Sequence, residues 1–160
     1  MIRDANKKDA QAICDIYNHY IANSVITFEE QLLTLEEMKK RILEVTISLP
    51  WIVYDHDGVI EGYAYATIWK NRSAYRYSAE STVYLSSTSV GKGFGSALYT
   101  DLISRLKHLS FHCVIGGIAL PNPASIALHE KMGFEKVAHF KQIGWKQKRW
   151  VDVGYWELSL

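Results

Sequence analysis

A glycine-rich segment offers the clearest chemistry in this chain of 160 residues. Gly91, Gly93 and Gly95 follow an apolar run that ends at Leu85, and an amphipathic run over residues 96–109 follows them. Glycines let the backbone approach an anion closely, and the free N–H groups at the start of a helix favour negative charge. The segment predicts a phosphate-binding turn between a strand and a helix, although a tight turn that binds nothing has the same composition.

Two well-known phosphate-binding loops do not fit this segment. A P-loop ends in Gly-Lys-Ser/Thr, which places a lysine on the phosphates and a hydroxyl on magnesium, but here Lys92 is followed by Gly93. A dinucleotide-binding unit carries an acidic residue about 20 residues downstream for the ribose, and the strand predicted for residues 114–120 does not end in one. Neither a nucleoside triphosphate bound by a P-loop nor a dinucleotide is therefore the expected ligand of this turn.

A second segment encodes a short helix with both of its ends. Asn122 is suited to cap the helix, Pro123 to occupy its first position, and Gly133 to follow its last turn. Apolar residues lie between these positions, and an apolar run precedes them. The segment predicts a buried strand followed by a capped helix.

Together the two segments resemble the acetyl-CoA-binding core of the GNAT N-acetyltransferases, with their Gln/Arg-x-x-Gly-x-Gly/Ala and Asn-x-x-Ala/Ser patterns and a helix ending in Lys-x-Gly-Phe. Within this family the chain is most similar to the phosphinothricin and methionine sulfoximine N-acetyltransferases, over nearly its whole length. The family usually has Gln-Arg where this chain has Val90-Gly91, a change that removes side-chain contacts to the pyrophosphate but leaves the backbone amides. The matching segments are residues 18–20, 28, 50–51, 62–66, 69–72, 74–75, 79–84, 120–122, 128–130 and 150–156.

The resemblance implies an α/β (α+β) fold with a mixed central sheet of about seven strands, flanked by helices and splayed at the acetyl-CoA-binding strand. It implies acetyl-CoA as co-substrate and a homodimer. No metal is expected, because His129-Glu130 lacks the second histidine of a zinc-protease motif and His108 with His112 straddles a predicted helix end. A backbone N–H of the splayed strand is expected to polarise the acetyl carbonyl. The residues implied for acetyl-CoA binding are Val83, Tyr84, Leu85, Gly91, Lys92, Gly93, Phe94, Gly95, Ser96, Asn122, Ser125 and Lys131.

Two residues match the catalytic positions of the subgroup. Acetyl transfer to an amine needs a base for the ammonium proton and a proton for the departing thiolate. Glu80 matches the catalytic glutamate, and burial would raise its pKa toward that of a useful base; a surface glutamate at the start of a strand is the alternative. His129 matches the position of a tyrosine that protonates the thiolate in many acetyltransferases. An imidazole of pKa about 6.5 suits that task, with a purely structural histidine as the alternative.

The residues implied for substrate binding combine cations with aromatic rings. The guanidinium of Arg72 suits a carboxylate or phosphinate, and Phe28 with the tyrosines could enclose a short aliphatic side chain. Solvated cations and core aromatics are the alternative. The set is Phe28, Lys70, Asn71, Arg72, Tyr75 and Tyr77.

We therefore expect an acetyl-CoA-dependent enzyme that acetylates the α-amino group of a small amino-acid analogue, of the phosphinothricin or methionine sulfoximine type, by direct transfer in a ternary complex. One alternative is an acetyltransferase for another amine, such as a polyamine, an aminoglycoside or a protein N-terminus. Another is a non-catalytic acyl-CoA sensor.

Composition limits the remaining possibilities. With 160 residues, 48% of them hydrophobic, the chain suits one domain over residues 1–160. The 18 Lys and Arg residues nearly balance the 17 Asp and Glu residues, so no electrostatic field attracts nucleic acid, and the basic segment 141–149 is predicted to be a solvated hairpin turn.

The polar start and the lack of long apolar runs predict no membrane segment or signal peptide, hence a cytoplasmic protein. Cys14 and Cys113 are predicted to be small buried hydrophobes rather than a disulfide.

The elements that must position these residues follow from periodicity and turn signals. Two helices are predicted near the start, over residues 9–23 and from a capping box at Thr34 to residue 45. A hairpin around Asp57-Gly58 joins strands at 51–54 and 59–69. The other predicted strands cover residues 1–3, 77–85, 114–120, 136–142 and 151–158, in a mixed sheet with helices on both faces.

Overall fold

The computed structural model describes residues 1–160, in which a seven-stranded sheet is combined with four α-helices. The strands are β1 (Ile2–Asp4), β2 (Trp51–His56), β3 (Val59–Ile68), β4 (Ser78–Leu85), β5 (Cys113–Leu120), β6 (Glu135–Lys146) and β7 (Arg149–Ser159). The helices are α1 (Ala10–Asn23), α2 (Leu35–Thr46), α3 (Phe94–His108) and α4 (Pro123–Lys131), with 3-10 turns at Lys7–Asp9 and Ser73–Tyr75.

The sheet is mixed, with the strand order β1-β2-β3-β4-β5-β7-β6. Only β4 and β5 are parallel, and they pair over just Ser78–Glu80 and Cys113–Ile115 before they separate. The backbone groups of Ser81–Leu85 that would face β5 therefore leave the ladder. The predicted α/β fold with a splayed β4 is confirmed.

Helices cover both faces of the sheet, as predicted. Because neighbouring strand residues point to opposite faces, Ile52 and Val53 enter different cores. Helices α1 and α2 pack on the face that contains Val53 and Tyr63, and α3 and α4 pack on the face that contains Ile52 and Trp156. Residues of β4 thus alternate between the two helical layers.

The local signals for helix ends are confirmed by the structure. The Thr34 backbone N–H donates to Glu37 Oε2 at 2.7 Å, and the Glu37 N–H donates to Thr34 Oγ1 at 3.2 Å. Asn122 Oδ1 accepts from the Ser125 N–H at 3.2 Å, which caps α4. Gly133 takes a left-handed conformation, with φ of 91°, just after that helix.

Three local predictions were wrong in detail. Helix α3 begins at Phe94 rather than at residue 96, because left-handed Gly93 precedes it directly. The turn predicted over 141–149 contains only Gln147 and Lys148, with φ of 52° and 58°, and the strands extend to either side of it. Neither glutamine nor lysine is typical of a two-residue hairpin turn in which both residues have positive φ, so the sequence carried no signal for the position of this turn. Cys113 is partly exposed, whereas Cys14 is buried, and both are free thiols.

None of the α-helices is both long enough and apolar enough to cross a membrane.

Candidate active site

Two adjoining cavities open where β4 and β5 separate. The smaller, of about 250 Å³, contains the side chains of Glu80 and His129. The larger, of about 550 Å³, extends toward the glycine-rich loop before α3. Both are lined by Ile26, Val83, Tyr84, Asn122 and Ser125. The splay thus connects an anion-binding loop to an ionisable side chain.

The larger cavity ends at the uncapped N-terminus of α3. Gly91 and Gly93 both have φ of 83°, and no side chain caps the helix at Gly93. The first N–H groups of α3 consequently remain free for an anion, which the helix dipole also favours. Nine of the twelve residues predicted to bind acetyl-CoA line this cavity: Val83, Tyr84, Leu85, Gly91, Gly93, Gly95, Ser96, Asn122 and Ser125.

The other three residues predicted for acetyl-CoA lie outside the lining. Lys92 is exposed. Phe94 stacks on Tyr54 with a ring separation of 4.2 Å, which joins α3 to the sheet. Lys131 Nζ donates to Ser96 Oγ at 3.2 Å, beside the first turn of α3. Of the three, only Lys131 has a side-chain hydrogen bond to a residue that lines the larger cavity.

Helix α1 forms another wall of the larger cavity through Tyr20. Its hydroxyl donates to the carbonyl oxygen of Leu85 at 2.7 Å, at the end of β4. The structure shows Tyr20 on the cavity surface, bonded to the splayed strand.

Glu80 lies on the sheet face that carries α1 and α2. Its Oε1 is 3.6 Å from the position that a Cβ on Gly117 would occupy, and Tyr155 packs against the same glycine. Glu80 has no ion pair or hydrogen bond to another side chain, and burial raises its pKa above the usual 4.5. An unpaired carboxylate with a raised pKa is suited to accept a proton from an amine.

His129 belongs to a hydrogen-bonded chain on the opposite face. Its Nδ1 is 2.7 Å from the Ser125 carbonyl oxygen, and its Nε2 is 2.7 Å from the Tyr99 hydroxyl. Because a carbonyl can only accept, Nδ1 carries the hydrogen and Nε2 accepts from Tyr99. Tyr99 in turn accepts from Ser81 Oγ at 3.0 Å. His129 is only 4% exposed, and burial lowers its pKa below 6.5, so the ring is neutral at pH 7.

The two glycines at the centre of β5 make room for these side chains. A Cβ on Gly116 would lie 2.4 Å from His129 Nε2, and one on Gly117 would lie 3.1 Å from the Tyr155 ring. Sequence reasoning singled out neither glycine, nor Tyr99 and Ser81. The only available signal was the Gly-Gly pair inside an apolar strand, which indicates a close approach of other groups.

The residues predicted for substrate binding are all exposed, and none lines either cavity. Lys70 is connected to the site indirectly: its Nζ lies 5.5 Å from the Trp69 ring, and Trp69 packs on Tyr155 at 5.5 Å. Phe28 packs over Gly144 of β6. The chain therefore does not gather the six into one pocket: Phe28, Lys70, Asn71, Arg72, Tyr75 and Tyr77.

The lining of the smaller cavity is aromatic and carries one carboxylate. Tyr17, Tyr65, Tyr84 and Tyr99 line it together with Glu80, and no Lys or Arg side chain does. Tyrosine rings and a carboxylate both attract an ammonium group. No group of three His, Cys, Asp or Glu side chains is placed to hold a metal ion.

Comparison with known proteins places this arrangement among acyl-transferring enzymes. Residues 2–154 match the acetyltransferase (GNAT) domain family. A phosphinothricin N-acetyltransferase from Streptomyces viridochromogenes is 39% identical over 156 residues, which cover 98% of this chain and 85% of that protein. An L-methionine sulfoximine/L-methionine sulfone acetyltransferase from Salmonella typhimurium is 32% identical over 160 residues, which cover 99% of this chain and 94% of that protein.

Solved structures share the complete architecture. A phosphinothricin acetyltransferase from Sinorhizobium meliloti, solved with acetyl-CoA, is 38% identical with a TM-score of 0.96, covering 100% of this chain and 88% of that one. A ribosomal-protein-alanine N-acetyltransferase from Brucella melitensis is 33% identical with a TM-score of 0.98, covering 100% of this chain and 99% of that one. The sequence resemblance to this family is thereby confirmed.

Proposed function

The chain belongs to the GNAT acetyltransferase family and is an acetyl-CoA-dependent N-acetyltransferase, and we propose that it acetylates the α-amino group of a small amino acid or analogue such as phosphinothricin or methionine sulfoximine. One observation carries the proposal: the unpaired carboxylate of Glu80 and the uncapped N-terminus of α3 lie in two cavities that share a wall. The first suits an amine and the second suits the phosphates of coenzyme A.

The pyrophosphate would bind the free N–H groups of α3 and of the glycine loop. These are backbone groups, so the presence of Val90-Gly91 in place of Gln-Arg leaves them intact. The acetyl carbonyl would meet a backbone N–H of the segment Val83–Leu85, where β4 has left its partner strand. The other residues proposed for the cofactor are Lys92, Phe94, Ser96, Asn122, Ser125 and Lys131.

Glu80 is proposed as the general base. An ammonium group must lose one proton before its nitrogen can attack the thioester carbon, and Glu80 passes that proton to solvent. The nitrogen then forms the new C–N bond, and collapse of the tetrahedral adduct breaks the C–S bond. The nitrogen gives up its second proton, which the departing sulfur finally receives.

His129 is proposed to carry that second proton. As a neutral ring its Nε2 can accept a proton through the Tyr99 hydroxyl and return it to the sulfur by the same route. This assignment modifies the sequence-based hypothesis of a cationic acid with an ordinary pKa, because burial keeps the ring uncharged at pH 7. The cysteines support direct transfer, since neither Cys14 nor Cys113 lines either of the two cavities of the site. Both serine variants should therefore remain active.

The cavity lining supports a small amino-acid substrate. The ammonium group would lie among the tyrosines beside Glu80, whereas the carboxylate or phosphinate needs a cation from outside the cavity. Lys70 and Arg72 lie on the exposed loop after Trp69, which packs on Tyr155 at the Glu80 face.

We propose that Phe28, Asn71, Tyr75 and Tyr77 complete the site and that the protein is a cytoplasmic homodimer. Its contact would cover the exposed rings of the β6–β7 hairpin, Phe140, Trp145 and Trp150.

Thiol release from acetyl-CoA tests the proposal. The amines are methionine sulfoximine, phosphinothricin, proteinogenic amino acids, a polyamine, an aminoglycoside and a peptide with an N-terminal alanine. We expect turnover of the amino acids or analogues, and a fall in kcat/KM of about 10²–10⁴-fold in Glu80→Gln, the usual worth of a general base. Glu135→Gln, the same change at an exposed carboxylate, is the matched control. His129→Ala should lower kcat by a larger factor than that by which it changes the KM of acetyl-CoA.

The peptide represents a second candidate function, since the Brucella melitensis structure is that of a ribosomal-protein-alanine N-acetyltransferase. Turnover of the peptide alone would keep the fold and cofactor but overturn the proposed substrate class. Tight acetyl-CoA binding without thiol release for any amine would instead favour an acyl-CoA sensor.

A further inference from the structure

The segment between α1 and α2 forms a wall of the smaller cavity. We call residues Val25–Phe28 the strap. Ile26 lines both cavities, whereas the flanking residues Val25 and Thr27 are buried. Val25 packs on Ala119 of β5 and Val151 of β7, so the strap crosses the sheet on the face that carries Glu80. Any displacement of the strap would reshape the cavity next to the proposed base.

The inner side of the strap is fixed by a polar network. The Tyr17 hydroxyl lies 2.8 Å from Thr27 Oγ1 and also donates to the carboxylate of Glu29. Arg41 of α2 binds both oxygens of that carboxylate, at 2.8 and 2.5 Å. Tyr17 itself lines the smaller cavity. The network ties the strap to the two helices but leaves its outer side to be held by other elements.

Strand β6 holds the outer side. It is the edge strand of the sheet, and only Gly144 and Lys146 of its twelve residues are buried. Lys146 Nζ donates to the Thr27 carbonyl oxygen at 2.8 Å. A Cβ on Gly144 would lie 2.4 Å from Cε2 and Cζ of Phe28. Both buried residues of this strand therefore touch the strap.

The burial of Lys146 is costly, which argues that its contact is useful. The residue is 4% exposed and has no carboxylate within ion-pair distance. Desolvation lowers the pKa of its ammonium group, and the more distant carboxylates of Glu30 and Glu29 oppose this effect only in part. A buried ammonium group with a single backbone acceptor is usually less stable than an apolar side chain of the same length. The sequence-based expectation of a solvated basic turn over 141–149 was thus wrong for Lys146.

We propose that Gly144 and Lys146 are positioning residues for amine recognition, which keep the Phe28 ring over Gly144 and hold the strap so that Ile26 stays in the wall of the smaller cavity. Gly144 provides the space in which the Phe28 ring lies, and Lys146 fixes the backbone one residue before that ring. We call these two contacts, of Gly144 with Phe28 and of Lys146 with Thr27, the clamp. Its role in amine recognition rests on the proposed function, but the contacts themselves are present in the protein without substrate.

Kinetics of Gly144→Ala and Lys146→Met test the proposal. In Gly144→Ala the Phe28 ring must move, so we expect the amine KM to rise at least tenfold while the acetyl-CoA KM changes less than twofold. In a Phe28→Ala background the same glycine change should alter the amine KM less than twofold, since the colliding ring is absent. Lys146→Met should raise the amine KM without lowering the unfolding temperature. Lys148→Met, on the exposed turn of the same hairpin, is the matched control.

Hydrogen exchange of the protein without substrate separates the clamp from the substrate hypothesis. The Ile26 and Glu29 amides, which donate to Ser24 Oγ and Thr27 Oγ1, should exchange at least tenfold faster in Lys146→Met and at the wild-type rate in Lys148→Met. Unchanged exchange, or equal rises in the amine and acetyl-CoA KM values, would overturn the clamp. If the wild type accepts a different amine, the ratios of variant to wild-type KM are measured with that amine. A wrong substrate class and a wrong clamp therefore give different results.

Discussion

Gly116→Ala is the most direct test of the geometry around His129. The new Cβ would lie 2.4 Å from Nε2 and 2.7 Å from Cδ2 of a ring that is 4% exposed and packed against Tyr99 and Phe134. Overpacking of a dense core costs about 1–3 kcal/mol, and a displaced ring also leaves the buried Tyr99 hydroxyl without its acceptor, at about 1–3 kcal/mol. The free energy of unfolding should fall by about 2–6 kcal/mol.

For a chain of this size, that loss lowers the unfolding temperature by about 4–24 °C. Thermal and urea unfolding of Gly116→Ala, of Gly117→Ala and of the wild type provide the measurement. At Gly117 the nearest atom is 3.1 Å away and the position is exposed, so that variant should lose less than about 1 kcal/mol.

A double-mutant cycle decides whether His129 is the cause. In the His129→Ala background the ring is absent, so adding Gly116→Ala should cost less than about 1 kcal/mol. If Gly116→Ala unfolds within about 2 °C of the wild type, or if its cost persists without the ring, the packing described here is refuted.

Two further predictions concern pH. Because burial raises the pKa of Glu80, the acid limb of the kcat/KM profile should have its midpoint above pH 4.5, and Glu80→Gln should lack that limb. At pH 8 this variant should unfold no more easily than the wild type. A midpoint at or below pH 4.5 would contradict the proposed role of Glu80 as general base. Burial alone would raise the pKa of Asp9, but hydrogen bonds from Arg3, at 2.8 Å to each oxygen, and from the Asn6 N–H lower it below 3.8. A lowered carboxyl pKa contributes stability that is present above pH about 4 and lost as the pH falls through the folded-state pKa. Urea midpoints between pH 6 and 2 should therefore fall more steeply for the wild type than for Asp9→Asn, and equal slopes would exclude this contribution.

The parts of the fold that the sequence predicts are those with local signals. A capping box fixes the start of α2 at Thr34, and Asn122 with Gly133 brackets α4, because each signal acts within a few residues. The positions of Glu80 and His129 followed from their match to family positions. Their surroundings did not.

The missed residues act through contacts between distant parts of the chain. Tyr99 is an ordinary buried position in the pattern of α3, and only the fold brings its hydroxyl to a ring 30 positions away. Lys146 belongs to a basic segment, and its burial depends on the strap, 119 positions earlier. Hydropathy averages cannot detect such contacts because the same residue types are usually solvated.

The alternation of side chains along β4 explains how the proposed removal of the ammonium proton and the proposed protonation of the thiolate can be separated in this site. Glu80 and Ser81 are neighbours on one strand and therefore face opposite helical layers. Glu80 meets the tyrosines on the α1 side, whereas Ser81 begins the chain through Tyr99 to His129 on the α3 side. An intact sheet would separate the two layers completely, but β4 and β5 stop pairing at Glu80 and Ile115. The separation of β4 and β5 joins the layers at that point, where the proposed base Glu80, with its raised pKa, and the neutral imidazole proposed to carry the second proton would act on one nitrogen from opposite sides.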